Sequence, residues 1–472
     1  MPIENLAVIV GNRDFFPDAL VTEARRDILA LFKELEIEPV ILDENQTKLG
    51  GVETYADAER CAALFRAQSD RIDGVLVTLP NFGDERGVAD ALRLSRLGVP
   101  VLIHAYPDDL QGLQVERRRD AFCGKLSVCN NLRQYDIPFS LTQNHVVHPK
   151  DGGFKTELEN FLGVCRVVKG LRNIRIGAIG ARPTAFNTVR YSEKILESAG
   201  ISVITVDLSD VFGEARKLAD DDSRVKVRLE EIHAYADTSS VPPPSLVLMG
   251  KLAVVISDWM QANSINATAI QCWTSIQSHY GVNACTIMSM MSDKMMPSAC
   301  EVDVTGVVSM YALQLASNSP SGLVDWNNNY GGDQNKCVFF HCGNWAKSFI
   351  PEVKVSTAPI LGTIVGEKNT YGALEGRTPA GLVTFGRVST DDVAGKIRTY
   401  VGEGSFTDDQ LKTFGTRAVV EVPKLQKLMR FVCREGFEHH AAMNKSHAAG
   451  VLAEAFRTYL GWDVYYHEQP ED

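Results

Sequence analysis

Glu301 is the first residue whose type and setting could do chemistry. It lies in Ser298-Ala299-Cys300-Glu301-Val302-Asp303, ahead of an apolar stretch that runs to Leu315. Two readings compete there. Ser298 and Glu301 have the S-x-x-E spacing of a capping box, in which the carboxylate accepts a backbone N–H at a helix start. The local sequence by itself favours that cap over a catalytic carboxylate. Asp325 follows the apolar run Gly322-Leu323-Val324 and precedes the polar stretch Trp326-Asn327-Asn328-Asn329-Tyr330-Gly331-Gly332. It reads either as a turn aspartate or as a carboxylate delivered at the end of a strand, where α/β sheets build ligand sites.

Imidazoles complete the set. The chain has 10 histidines, and His439, His440 and His447 fall close together near its end. His341 stands in Phe339-Phe340-His341-Cys342-Gly343-Asn344, where an apolar strand delivers a histidine into a glycine turn. Each histidine alone reads equally as a hydrogen-bonded structural residue. Carboxylates and imidazole together form a mixed oxygen and nitrogen donor set suited to Mn²⁺, Fe²⁺, Co²⁺ or Zn²⁺, with positions left for substrate oxygens. Gln271 and Trp273, in Ala269-Ile270-Gln271-Cys272-Trp273, fit the polar lining of a sugar site just past a strand. Trp273 reads equally as core. Arg13 and Asn81 follow predicted strands in the first part of the chain.

The elements that must position these residues alternate. Leu6–Val10, Glu38–Leu42, Gly74–Thr78 and Pro100–Ile103 read as strands, with helical periodicity between them. Continuous apolar strands separated by helices mean a parallel sheet covered on both faces. A second such unit begins near Leu171, with strands expected at Ile174–Gly180, Ile201–Val206 and Lys251–Ser257, the last after the break Pro242-Pro243-Pro244. Beyond about residue 350, strands follow one another without long helices (Val353–Val355, Gly381–Gly386, Arg417–Val422), which predicts an antiparallel module. A helix over 444–459 and a strand at Asp463–Tyr466 close the chain. The expected fold is therefore α/β, two doubly wound parallel-sheet domains (1–168 and 169–352) followed by a C-terminal antiparallel β-rich domain (353–472).

Composition narrows the function classes. The chain has 472 residues, 45% hydrophobic and 23% charged, with a net charge of −11. An acidic chain lacks the basic face that nucleic acid or an anionic membrane surface requires. The start, Met-Pro-Ile-Glu-Asn, has no basic leader and runs into a strand, and no run of about eighteen apolar residues occurs. The expectation is a cytoplasmic protein without a membrane span. No GxGxxG fingerprint argues for a nicotinamide cofactor. The 10 cysteines contain no Cys-x-x-Cys pair and read as reduced, buried thiols rather than as a thiolate zinc site.

In combination these motifs resemble the L-fucose isomerase and L-arabinose isomerase superfamily. Ala299-Cys300-Glu301-Val302-Asp303 followed by Asp325 in Leu-Val-Asp-Trp is similar to its metal-binding carboxylate pair. His439-His440-Ala441 is similar to its C-terminal histidine motif. Gly11-Asn12-Arg13-Asp14-Phe15-Phe16-Pro17 resembles its arginine-bearing first loop, and Gly180-Ala181-Arg182-Pro183 with Phe186-Asn187 also fits. The resemblance implies a metal-dependent aldose–ketose isomerase working through an enediol, with Mn²⁺ held by Glu301, Asp325 and His440. Glu301 and Asp325 would also transfer the protons. It places Arg13, Asn81, Gln271, Trp273, His341 and His439 at the sugar. It further implies a homo-oligomer, a hexamer or trimer, whose neighbouring subunit completes the site. The substrate stays open between a pentose, a deoxyhexose or modified hexose and an anionic sugar such as sulfoquinovose. A sugar-binding protein or sensor is the non-enzymatic alternative, and a metal-dependent aldolase would use similar ligands.

Overall fold

The computed structural model describes residues 4–470. The Met-Pro-Ile start of the expected leaderless N-terminus and the last two residues of the third expected domain lie outside them. The chain divides into two compact units, one of residues 1–169 with Glu454–Gly461, the other of Gly170–Ala453 with 462–471.

The first unit is built on five parallel strands, β1 (Asn5–Val10), β2 (Glu38–Ile41), β3 (Gly74–Leu79), β4 (Val101–Ala105) and β5 (Ser140–Leu141), in the order β2-β1-β3-β4-β5. β3 and β4 are buried along their whole length, as the uninterrupted apolar runs require. The strand order reverses between β1 and β3, and in such sheets the crevice beyond those carboxyl ends is the usual ligand position. Gly11, Asn12 and Arg13 follow β1, and Asn81 follows β3. The Asn81 amide donates to Asn12 Oδ1 at 2.7 Å, which ties the two strand ends together. The segment 454–461 joins this unit through Tyr459, whose hydroxyl donates to Val101 O at 3.1 Å.

The second unit carries two sheets. Four parallel strands, β6 (Arg175–Ile179), β7 (Ser202–Val206), β8 (Ala267–Ile270) and β9 (Ser298–Cys300), run in the order β7-β6-β8-β9. A nine-stranded mixed sheet, mostly antiparallel, follows. It contains β10 (Ser321–Asn329), β11 (Lys336–His341), β12 (Lys354–Ser356), β13 (Ala373–Arg377), β14 (Gly381–Asp391), β15 (Lys396–Thr407), β16 (Thr416–Glu421), β17 (His440–Asn444) and β18 (Asp463–Tyr466). Its order is β12-β13-β16-β11-β10-β17-β14-β15-β18, and β15 also pairs with β16. That extra pairing closes β10, β11, β14, β15, β16 and β17 into a ring, which removes their exposed edges. Aromatic side chains fill it: Trp326 packs edge-on against Phe339 and Phe385 and donates its indole N–H to the Tyr400 hydroxyl at 2.9 Å.

Three local expectations give way. Lys251–Ser257 is not a strand; it lies inside the helix Pro243–Ala262. Proline is accepted in the first helical turn because the N–H it lacks has no intrahelical partner there. An apolar run without period-2 alternation does not distinguish strand from buried helix. This helix is long and apolar enough to cross a membrane, yet Met249, Leu252, Ile256 and Met260 along it are buried in the core of the second unit. The polar run after Asp325, which reads as a loop, is strand as far as Asn329, with a bulge between Trp326 and Asn328, and turns only at Tyr330–Gly332. The single helix expected over 444–459 is instead the end of β17, a short helix Ala449–Glu454 and a wider turn Ala455–Tyr459.

Candidate metal centre

Glu301 stands immediately after β9, where the chain leaves the parallel sheet for the helix Val304–Ser317. That helix is apolar on every side and buried against strands of both sheets. Glu301 and Val302 both adopt left-handed backbone, at φ 58 and φ 55. A β-branched residue in that region is costly and persists only where the surroundings enforce it. Here Val302 N donates to Ile270 O at 3.2 Å and Asp303 N to Cys300 O at 3.0 Å, which pins the turn. Glu301 does not cap the helix. Asp303 does, accepting from Gly306 N at 2.8 Å, so Glu301 is left free to point into the site.

Sheet register supplies the other donors. β10 and β17 are antiparallel with Asp325 opposite His440, and β10 and β11 place Asp325 opposite Phe340, the residue before His341. Asp325 is therefore a mid-strand carboxylate, not a turn residue. Past His341 the chain turns at Gly343, φ 128, where an added Cβ would lie 2.4 Å from Leu374 N, so only glycine fits.

These side chains converge. His440 Nε2 lies 3.3 Å from Glu301 Oε2 and 3.2 Å from Asp325 Oδ1, and His341 Nε2 lies 3.7 Å from Glu301 Oε2. His439 Nε2 is 3.5 Å from Asp325 Oδ1, with its ring partly exposed. Glu301 Oε2, His341 Nε2 and His440 Nε2 are all buried without a hydrogen-bond partner. Buried polar atoms are normally paired. Three unpaired donor atoms aimed at one point, one carboxylate and two imidazoles, fit a divalent cation. Glu301, His341 and His440 form one potential ligand group, and Asp325, His439 and His440 another.

A buried ion network orients His440. Its Nδ1 contacts Asp303 Oδ2 at 2.8 Å. Asp303 also receives two bonds from Arg387, at 2.6 and 2.9 Å. Arg387 in turn donates to Glu438 at 3.1 Å and to Thr305 at 2.8 Å. A carboxylate on the distal nitrogen fixes the tautomer and ring plane, as is usual for metal-binding histidines. Burial alone would raise the Asp303 pKa; Arg387 and His440 hold it well below the ordinary carboxylate range. Burial would lower that of His440, but the hydrogen bond to Asp303 and the charges of the nearby Asp325 and Glu301 carboxylates carry it up to about 10. His341 rises to about 9 against the same burial, through Cys342, Glu301 and Asp325. Burial raises Glu301, and His341 and His440 offset this only in part. Burial would raise Asp325, but the nearby imidazoles of His440, His341 and His439 outweigh it and hold its pKa down. Two neighbouring carboxyl groups are thus pushed apart in proton affinity, the pattern that separates acid from base roles.

The remaining expected residues divide. Trp273 Nε1–H donates to Glu301 Oε1 at 3.0 Å and so belongs to the site. Gln271 does not reach the cluster; its amide accepts from Ala181 N at 2.9 Å and donates to Ser275 at 3.1 Å, bracing the loop after β6. His447 stands apart and pairs with Glu403. Arg13 and Asn81 lie in the first unit. Arg13 donates to Gly83 O at 3.0 Å, pairs with Glu85 and lies over the Phe82 ring at 4.1 Å. Phe186, in the loop with Arg182, packs its ring 5.4 Å from both Trp273 and His439 and 5.8 Å from His440. Sequence reasoning assigned no role to Asp303, Arg387, Glu438 or Phe186. The one available signal was a second acid two positions after Glu301.

Comparison with known proteins agrees with this layout. Residues 7–172 match the family model described as the fucose/sulfoquinovose isomerase N-terminal domain. Residues 339–468 match the L-fucose isomerase C-terminal domain. A sulfoquinovose isomerase of Priestia aryabhattai is 26% identical over 380 residues, covering 80% of this chain and 81% of that protein. Another, of Alkalicoccus urumqiensis, is 23% identical over 372 residues, covering 79% and 81%. With the two terminal matches in chain order and the carboxylate and histidine motifs meeting in space, the chain belongs to the fucose isomerase-like superfamily of sugar aldose–ketose isomerases.

Proposed function

We propose that this protein interconverts sulfoquinovose and its ketose, in the cytoplasm, with a divalent metal, Mn²⁺ in the first instance. The observation that carries the isomerase reading is the convergence of Glu301, His440 and His341, each with a buried, unpaired donor atom, with Asp325 beside His440. The sulfonated substrate is favoured over a neutral pentose or deoxyhexose by the relatives named sulfoquinovose isomerase. Arg182, in the loop whose Phe186 packs on His439, is a cation available to an anionic sugar.

Glu301, Asp325 and His440 would hold the metal, with His341 beside them. The ion supplies a Lewis acid at the sugar's carbonyl and hydroxyl oxygens. The protein's own groups then move the protons. The reaction takes a proton from C2 of the aldose and returns one to C1. Glu301, with its affinity for a proton raised by burial, suits the carbon-bound proton. Asp325, held ionised, suits the other end. Trp273 keeps the Glu301 carboxylate oriented through its indole N–H, and Asp303 keeps His440 facing inward. The reading carries with it a homo-oligomer, a hexamer or trimer, in which Arg13 and Asn81 of the partner subunit contact the sugar.

The test is a panel of aldoses, including sulfoquinovose, L-fucose and L-arabinose, incubated with protein and Mn²⁺ in D₂O and followed by NMR. The expected result is ketose formation with deuterium uptake, fastest for sulfoquinovose. Faster turnover of a neutral sugar would overturn the substrate assignment. No isomerisation of any aldose would overturn the activity.

A further inference from the structure

A cavity of about 580 Å³ opens on the ring formed by β10, β11 and β14–β17. Asn327, Asn328, Tyr330, Phe340, Lys412 and Phe414 line it, and Lys412 is the one charged side chain among its lining residues. Sheet register places it beside the proposed metal centre. Phe340 is opposite Asp325, and Val338, which also lines the cavity, is opposite Asn328. Partners in register share a face of the sheet, with their Cβ atoms about 4.5–5.5 Å apart. The cavity therefore lies on the face that carries Asp325 and His440, on the β11 side of Asp325. The loop of Arg182 and Phe186 packs toward the other side, against His439 and His440 on β17. From Asp325 to Asn328 the strand advances about 7–10 Å, at about 3.4 Å per residue.

The local sequence supports a binding role. Asparagine is a poor strand former, yet three in succession end β10, where a bulge lies between Trp326 and Asn328. Bulges beside sites re-aim side chains, and Asn327 and Asn328 are exposed. Asn328 Nδ2 donates to Asn327 Oδ1 at 2.6 Å, which leaves Asn327 Nδ2 as a donor and Asn328 Oδ1 as an acceptor. Phe340 and Phe414 meet edge-on with ring centroids 5.6 Å apart. The Tyr330 hydroxyl donates to Gln410 O at 3.1 Å, which ties the end of β10 to the segment bearing Lys412 and Phe414. Lys412 is exposed and has no ion pair among the described residues. Carboxamides, aromatic rings and a single ammonium suit a hydroxylated chain that ends in a monoanion.

We infer that this cavity is the distal subsite of the reaction centre, in which Lys412 pairs with the sulfonate of the sugar while Asn327 and Asn328 bond its neighbouring hydroxyls. The inference rests on the proposed isomerisation of a sulfonated aldose. An open-chain hexose, with five C–C bonds of about 1.5 Å each, has the reach to set its C1 and C2 oxygens at Asp325 and its far end at Asn328. Lys412 thereby determines the preference for an anionic over a neutral sugar.

The test compares sulfoquinovose with quinovose, the same sugar without the sulfonate, on full-length wild type, Lys412→Met and Arg182→Met. Two ratios between the sugars are read: kcat/KM with Mn²⁺ present, and affinity by calorimetry with the chelated protein. The expected result is that Lys412→Met lowers both ratios by at least about tenfold, the usual scale of a hydrogen bond to a charged group. Unchanged ratios in Lys412→Met, or a loss in Arg182→Met alone, overturn the inference. So does a chelated wild type that binds the two sugars equally. Binding discrimination that depends on Lys412, in a protein that turns over neither sugar, would support this subsite while overturning the isomerase reading. Turnover of sulfoquinovose with unchanged ratios in Lys412→Met would do the reverse.

Discussion

Replacing Asp303 by Asn probes the hidden half of the site. The side chain is fully buried and acts through His440 and Arg387. Asparagine keeps an oxygen for the Gly306 N–H and so preserves the helix cap, but it removes the negative charge. Arg387, itself buried, is then left with Glu438 as its single acidic partner. Breaking a buried pair while leaving the cation behind costs about 3–5 kcal/mol. His440 loses the acceptor that fixes its Nδ1–H, and loss of such a partner typically weakens metal binding by about 10–100-fold. Urea unfolding of the metal-free protein measures the first effect, and Mn²⁺ titration monitored by electron paramagnetic resonance the second. A stability within about 1 kcal/mol of wild type, on the scale of an ordinary neutral hydrogen bond, together with unchanged Mn²⁺ affinity, would refute the view that this network positions the ligand.

Other expectations follow from the same geometry. Glu301→Gln should leave the circular dichroism spectrum intact and lower turnover by at least about 10²–10⁴-fold, the usual contribution of general acid–base help; steady-state NMR assays measure it. Trp273→Phe removes the N–H that meets Glu301 Oε1. A hydrogen bond to a charged group is worth about 1.5–3 kcal/mol, so kcat should fall roughly 10- to 100-fold, measured in the same assay. Protons and metal compete for His440. Its folded pKa of about 10 lies above its unfolded value, so its contribution to the stability of metal-free protein is complete below about pH 6.5 and disappears as pH rises through about 10. Metal affinity runs the other way, rising about tenfold per pH unit below pH 10 for each imidazole proton displaced. Calorimetric titrations at several pH values check both signs.

The first parallel sheet was legible because both faces of its strands are covered, which leaves unbroken apolar runs in β1, β3 and β4, whereas in the second sheet the short β9 read as a helix start. The ring of β10, β11 and β14–β17 was only partly legible. Its strands β10 and β15 carry polar, exposed ends, as in Trp326-Asn327-Asn328-Asn329, that read as loop until the partner strand is known. The helix Pro243–Ala262 is apolar on most faces and so lacks the periodicity that would have marked it. At the site, residue type left Glu301, Asp325 and His440 ambiguous; the family resemblance grouped them, and the fold brings His440 Nε2 within 3.3 Å of Glu301 and 3.2 Å of Asp325. Asp303, Arg387 and Glu438 were not legible, because their roles come from meeting across β14, β17 and the start of the helix Val304–Ser317. No local pattern records such a meeting.

The central claim is that Glu301, Asp325 and His440 hold a metal on which turnover depends. The most direct measurement is sulfoquinovose conversion by exhaustively chelated protein as Mn²⁺ is added back. The account predicts no conversion at the start and full activity once the oxygen and nitrogen site is filled. Undiminished conversion by the chelated protein would contradict it.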